Sequence, residues 1–179
     1  MAISHQVEQQ RGQRDRYVAA ARECMERGDP VGAANALRLA LASDPGNEAL
    51  QAQLEEWSVK AAAAQAEHYL KLGASEAELG RWREAARAYT RAATGRPDSP
   101  DLLDKAAYAL VQAGGDLHLA ADLARRAVGL REGEVRFRVT LVEVYLAAGL
   151  GLNARRELAE AARIEPANTR VKALLKRLG

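Results

Sequence analysis

The chain has 179 residues, with 26 basic and 24 acidic side chains and a formal net charge of +2. Alanine and leucine dominate, aromatics make up 4% of residues, and charges of both signs are interspersed, which suits helices and leaves little material for strands. So weak a net field makes neither nucleic acid nor an anionic membrane the default partner, and no apolar run reaches membrane-spanning length. The one cysteine, Cys24, has no intramolecular partner, and Met1 to Gln13 lacks the apolar stretch of a signal peptide, so a soluble, cytoplasmic protein is expected.

Self-similarity organises the chain. A glycine, an alanine and a proline recur in register: Gly28, Ala33 and Pro45, then Gly80, Ala85 and Pro97 after a shift of 52 residues. Gly115 and Ala120 follow at 35, and Gly149, Ala154 and Pro166 complete the series, with Glu132 where the third set lacks its proline. Each mark has a cause: the residue after a helix C-terminus commonly needs positive φ, which glycine adopts without strain, and proline ends a second helix. The alanines mark where two antiparallel helices cross too closely for a larger side chain. A second alanine series, Ala40, Ala92, Ala127 and Ala161, lies seven residues further on, and Ala21, Gly73, Ala107 and Val142 face both from the first helix.

In chain order, residues 1–13 form a polar tail or an extension of the helix that follows, and residues 14–47 are the first helix pair. Residues 48–65 are an insert. No proline or glycine interrupts Glu48 to Leu72, so one long helix is predicted, its first half covering the first pair through Leu50, Leu54 and Trp57 and its second half opening the next. Residues 66–99, 100–134 and 135–168 are three contiguous pairs. Residues 169–179 (TRVKALLKRL and a final glycine) read as a helix that covers the last pair's apolar face. The charge drifts from 7 basic and 9 acidic groups in residues 1–65 to 19 and 15 in the rest, chiefly through Arg170, Lys172, Lys176 and Arg177. Cations near a helix C-terminus complement its dipole, which makes a solvated face their first reading and an acidic partner their second.

The stretch AEHYLKLGASEAELGRWREAARAYTRAATGRP, Ala66 to Pro97, resembles the tetratricopeptide repeat through Tyr69, Leu72, Gly73, Gly80, Trp82, Ala85, Tyr89, Ala92 and Pro97. Tyr17, Gly28, Ala33, Leu37, Ala40 and Pro45 carry the likeness in the first copy, where Ala20 and Ala21 stand in place of the usual Leu-Gly. Leu141, Tyr145, Gly149, Ala154, Leu158, Ala161 and Pro166 carry it in the fourth. The resemblance implies an all-α solenoid of antiparallel helix pairs in a right-handed superhelix, with a C-terminal capping helix. It also implies a concave groove lined by the first helix of each pair, at fixed positions of every copy. Those positions hold Val18, Arg22 and Met25, then Leu70, Lys71 and Ala74, then Asp104, Lys105, Tyr108 and Val111, then Arg136, Val139, Thr140, Glu143 and Leu146, with Arg170 and Leu174 on the cap. Arg22, Leu70, Lys71, Lys105, Tyr108, Arg136, Val139 and Glu143 are the leading candidates for contact with a peptide or helix of a partner protein. Apolar patches flanked by Lys71, Lys105 and Arg136 suit a segment that carries one or two acids.

The family's chaperone-binding subclass clamps a terminal carboxylate with lysines and asparagines. The asparagines are missing here, although Lys105 with Arg136 retains two donors for a carboxylate. His5, His68 and His118 lack metal-ligand spacing, Cys24 falls on the inner face of the first helix as a small core residue, and Glu55, Glu56, Glu76 and Glu78 read as helix-surface charges. No enzyme activity, cofactor or metal is expected. The leading expectation is therefore a non-catalytic interaction scaffold. The alternatives are the C-terminal adaptor region of a bacterial J-domain co-chaperone, which the ALVQAGGDLHLAADLARRAV and YLAAGLGLNARRELAEAA stretches resemble, and a self-assembling array such as a homodimer.

Overall fold

The computed structural model describes the backbone of residues 2–178 and the side chains of residues 8–178, so His5 lies outside the described side chains. The described residues form nine α-helices and no strand: α1 (Ala2–Glu26), α2 (Pro30–Ser43), α3 (Glu48–Glu78), α4 (Trp82–Gly95), α5 (Pro100–Gln112), α6 (Leu117–Leu130), α7 (Val135–Ala147), α8 (Gly151–Ile164) and α9 (Thr169–Leu178). Two compact units result, one ending at Gln65 and the other beginning at Ala66, with α3 running through the boundary.

Four helices end in the same way. Gly28 adopts φ 74°, and its N–H donates to Met25 O at 3.0 Å while Asp29 N donates to Cys24 O at 2.8 Å. This pair of bonds is a Schellman cap, which satisfies two carbonyls left over at the helix end. Gly80 and Arg81 repeat it on Ala77 and Glu76, and Gly149 and Leu150 on Leu146 and Tyr145. The third copy departs from the sequence expectation, because Gly114, not Gly115, has the positive φ, at 60°. Gly115 instead donates to Leu110 O at 2.9 Å, and Asp116 caps α6 by accepting from His118 N and Leu119 N. The extra residue of the third copy is thus Gly115, inserted between the glycine turn and the N-cap.

The connections between pairs are equally uniform. Asn47, Ser99, Glu134 and Asn168 each donate a backbone N–H three residues back, to Asp44, Arg96, Arg131 and Glu165, at 3.1–3.2 Å. Proline occupies the second position of three of these turns, where its fixed φ is favourable, and Glu132 takes the same position in the remaining one. The turn therefore survives without its proline.

Both alanine series are fully buried: Ala33, Ala85, Ala120, Ala154, Ala40, Ala92, Ala127 and Ala161 are all at 0% exposure. At the facing position in α3, a Cβ added to Gly73 would lie 2.7 Å from the Tyr89 ring. Only a hydrogen fits there, because Tyr89 fills the space that other pairs leave to an alanine or valine.

The first unit packs Ala21, Ala33, Leu37, Ala40, Leu50 and Trp57, with Tyr17, Val18, Met25 and Leu54 half-buried around them. Cys24 is half-buried at the edge of this cluster rather than inside it. Arg14 reaches across the hairpin to Asp44 at 3.0 Å. Hydrogen bonds from Asn47 and then Arg14 hold the Asp44 carboxyl below its ordinary pKa.

In the second unit one continuous core runs from Ala85 to Leu174, with Leu103, Phe137, Leu141 and Leu158 as its largest buried side chains. Helix α7 packs against α5, α6 and α8. It is accordingly buried around most of its circumference, through Val135, Phe137, Val139, Leu141, Val142, Val144 and Tyr145.

Candidate peptide-binding groove

The face of the second unit built by α5, α7 and α9 carries most of the candidate residues. Tyr108 projects from α5 and meets Trp82 edge-to-face at 5.7 Å between ring centroids, which fixes its orientation. Across from it, Glu143 and Leu146 come from α7. Together with Val111, Gln112, Ala147 and Arg177, these three line a hollow of about 310 Å³. Gln112, Ala147 and Arg177 were not among the sequence candidates, since the positional rule counts residues along one helix and does not register what the next helix end brings alongside.

The cations have other occupations than the sequence suggests. Arg136 binds Asp101 at 2.6 Å and Glu134 at 3.4 Å, and its guanidinium lies 4.2 Å from the Phe137 ring centroid. Lys71 pairs with Glu67 at 3.7 Å, and Arg170 reaches back from α9 to Glu143 at 2.7 Å. Lys105 is exposed and 6.0 Å from the Tyr89 ring centroid. A clamp of Lys105 and Arg136 around an external carboxylate would therefore compete with Asp101.

The acids, conversely, are underused. Asp104 is half-buried on α5, and burial pushes its carboxyl pKa upward against the hydrogen bond from Thr140 and the fields of Arg136 and Lys105. Its Oδ1 is buried without a hydrogen-bond partner, and so is Oε2 of Glu143. Of these two acceptors, that of Glu143 belongs to a residue lining the hollow, and Asp104 sits four residues before Tyr108 on α5.

Val139, a sequence candidate, is 1% exposed and belongs to the core, so it contributes no groove surface. Thr140 and Leu174, at 4% and 7%, are likewise buried. Helix α7 is enclosed on too many sides for the family's positional rule to hold at these residues. Leu70 is half-buried against the same core from α3, and Lys71 is exposed beside it. Arg22 is exposed on α1, in the other unit.

Residues set aside as surface charges behave mostly as expected. His68 and His118 are exposed, and Glu55 and Glu56 are exposed on α3, with Glu56 paired to Lys60 at 2.6 Å. Glu76 differs: it is half-buried and pairs with Arg81 at 3.5 Å across the turn after α3. No group of His, Cys, Asp and Glu among the described residues is arranged to hold a metal ion. No described helix is long and apolar enough to cross a membrane.

No family model matches the sequence, and neither does any curated protein. Solved structures do match the fold. The Arabidopsis OM64 tetratricopeptide domain superposes with a TM-score of 0.59 at 18% identity, over 65% of this chain and 96% of that one. The second such domain of human RPAP3, in complex with an HSP70 peptide, gives 0.59 at 17% identity, over 65% and 97%. MamA from Desulfovibrio magneticus RS-1 gives 0.58 at 15% identity and extends over 93% of this chain and 83% of its own. Together with the repeated caps, turns and alanine crossings, these matches define the fold as an all-α tetratricopeptide-repeat solenoid.

Proposed function

We propose that this chain is a non-catalytic scaffold that takes a peptide or helix of a partner protein in the groove lined by α5, α7 and α9. The observation that carries the reading is the hollow lined by Tyr108, Val111 and Leu146 together with Glu143, whose buried Oε2 lacks a hydrogen-bond partner. A buried acceptor left unpaired costs about 1–3 kcal/mol, so a ligand that supplies a donor there gains more than a solvent-exposed contact would give. Backbone N–H groups or a lysine of a bound segment provide such donors, while an apolar side chain next to them fills the space between Tyr108 and Leu146. Complexes of similar folds with peptides support the same mode of use, as in the human RPAP3 domain. An acidic tail of the chaperone type would compete with Asp101 for Arg136 and with Glu143 for Arg170, which leaves Lys105 and Arg177 as the cations this face offers it.

The test places a photo-crosslinking amino acid at Tyr108, which fills one side of the hollow without belonging to the core. Crosslinking in cell extract followed by peptide mapping is expected to recover one defined segment bearing an apolar anchor next to a lysine or a run of free amides. Crosslinks scattered over unrelated surfaces would contradict the proposal.

A further inference from the structure

A second concavity, of about 890 Å³, lies on a different part of the same unit and shares no lining residue with the hollow at Tyr108. Its floor is apolar: Leu72 of α3, 41% exposed, together with Ala86, Leu110 and Leu119. Its rim is a line of arginines on α4, Arg83, Arg87 and Arg91, with Glu84 the one acid among the lining residues. Spacing of four residues puts all three guanidinium groups on one helix face, with neighbouring Cβ atoms about 6 Å apart.

These arginines are not alike. Arg91 donates to the Tyr69 hydroxyl at 3.1 Å and lies 5.2 Å from that ring's centroid, so it is held in place. Arg83 and Arg87 are exposed and form no hydrogen bond or ion pair with any described residue. Other arginines of this unit are paired with acids, Arg136 with Asp101, Arg138 with Glu157, Arg163 with Glu160 and Arg170 with Glu143, while Arg131, Arg156 and Arg177, like Arg83 and Arg87, have no such partner among the described residues. Like charges one turn apart destabilise a helix slightly, and Glu84, three residues before Arg87, is the one acid that α4 sets against them.

We propose that this concavity docks an acidic amphipathic segment of a partner protein. Its apolar side chains rest on Leu72, Leu110 and Leu119, and two of its carboxylates bind the forks of Arg83 and Arg87. Guanidinium groups suit this task because they pair with carboxylates bidentately at low desolvation cost. The apolar floor distinguishes the site from a nucleic-acid surface, where successive cations would have to follow a phosphate backbone. The proposal is independent of the groove at Tyr108, since the two surfaces share no lining residue.

The probe is a synthetic, fluorescently labelled amphipathic helix with leucines along one stripe and glutamates at four-residue spacing. A version with lysine for glutamate and inorganic phosphate serve as comparisons. Binding is followed by anisotropy and by amide shifts of the ¹⁵N-labelled protein. The acidic helix is expected to shift the amides of Thr90, Gly114 and Gly115, and Arg83→Glu with Arg87→Glu to weaken it by about tenfold or more with helical circular dichroism unchanged. Arg83→Gln with Arg87→Gln, which introduces no new charge, must weaken it in the same direction. Tyr108→Ala must leave it unchanged, which separates this site from the groove proposed above. The proposal is overturned by absence of binding, by equal binding of the lysine helix, by indifference to both pairs of substitutions, or by phosphate reproducing the same shifts.

Discussion

The two units are built from the same repeat and differ in how much each can bury. In the first, one hairpin and the start of α3 enclose a small cluster around Leu37 and Trp57, and Tyr17, Val18 and Met25 stay half-buried. In the second, α7 is covered by α5, α6 and α8, and Phe137, Val142 and Val144 reach 0% exposure. Since each repeat gains stability from its neighbours, a pair with one covered side is the weaker part of the array. The difference also decides which side chains reach the surface, because a helix enclosed on several sides, such as α7 at Val139, gives part of its positions to the core.

Substitution at the best-enclosed position gives the largest expected effect. Phe137→Ala should cost about 3–5 kcal/mol in denaturant unfolding, since the cavity is surrounded by packed helices that cannot collapse. Leu37→Ala removes an equally buried side chain, at 0% exposure, from the smaller core. A cost of about 2–4 kcal/mol is expected, and hydrogen exchange should show it as faster opening of α1 and α2 with α5 and α7 still protected. Uniform loss of protection in all these helices would mean that the two units unfold as one.

Gly73→Ala comes next. Alanine favours a helix more than glycine does, yet its methyl would lie 2.7 Å from the buried Tyr89 ring, so a net loss of about 1–3 kcal/mol is expected. Gly73→Ala combined with Tyr89→Leu should recover part of that loss. The smallest effect is a gain. Asp104 has a pKa raised above its ordinary 3.8, so the folded state binds its proton more tightly than the unfolded chain does. Stability contributed by the protonated form is therefore fully present below about pH 4 and is lost as pH rises through the raised value. Asp104→Asn should be slightly more stable than the parent at pH 7, with the two melting curves converging toward pH 4.

Much of this architecture was legible because its signals are local and obligatory. The Schellman caps demand glycine at Gly28, Gly80 and Gly149, and the helix crossings demand alanine at the eight positions that proved fully buried. The neighbouring pair Gly114-Gly115 offers no local reason to choose between them, and only the backbone distinguishes the left-handed residue from the inserted one. The groove was less legible, because its electrostatics depend on pairs formed between repeats. Asp101 and Arg136 occupy equivalent places in successive copies and neutralise each other, which no single-copy pattern reveals. Likewise, Arg170 reads from sequence as an available cation, on a solvated face or at the end of the groove, and α9 in fact sets it on Glu143. Val139 fits the positional rule, and its burial follows only from the helices packed around α7.

In the proposed function, the face of α5, α7 and α9 holds a partner segment through an apolar anchor and donated hydrogen bonds. Calorimetric titration of the segment recovered by crosslinking at Tyr108, as a synthetic peptide, tests it most directly. Saturable binding to the parent chain that Leu146→Glu abolishes and Arg83→Glu with Arg87→Glu leaves intact is the predicted result; undiminished affinity for the Leu146→Glu protein would contradict the account.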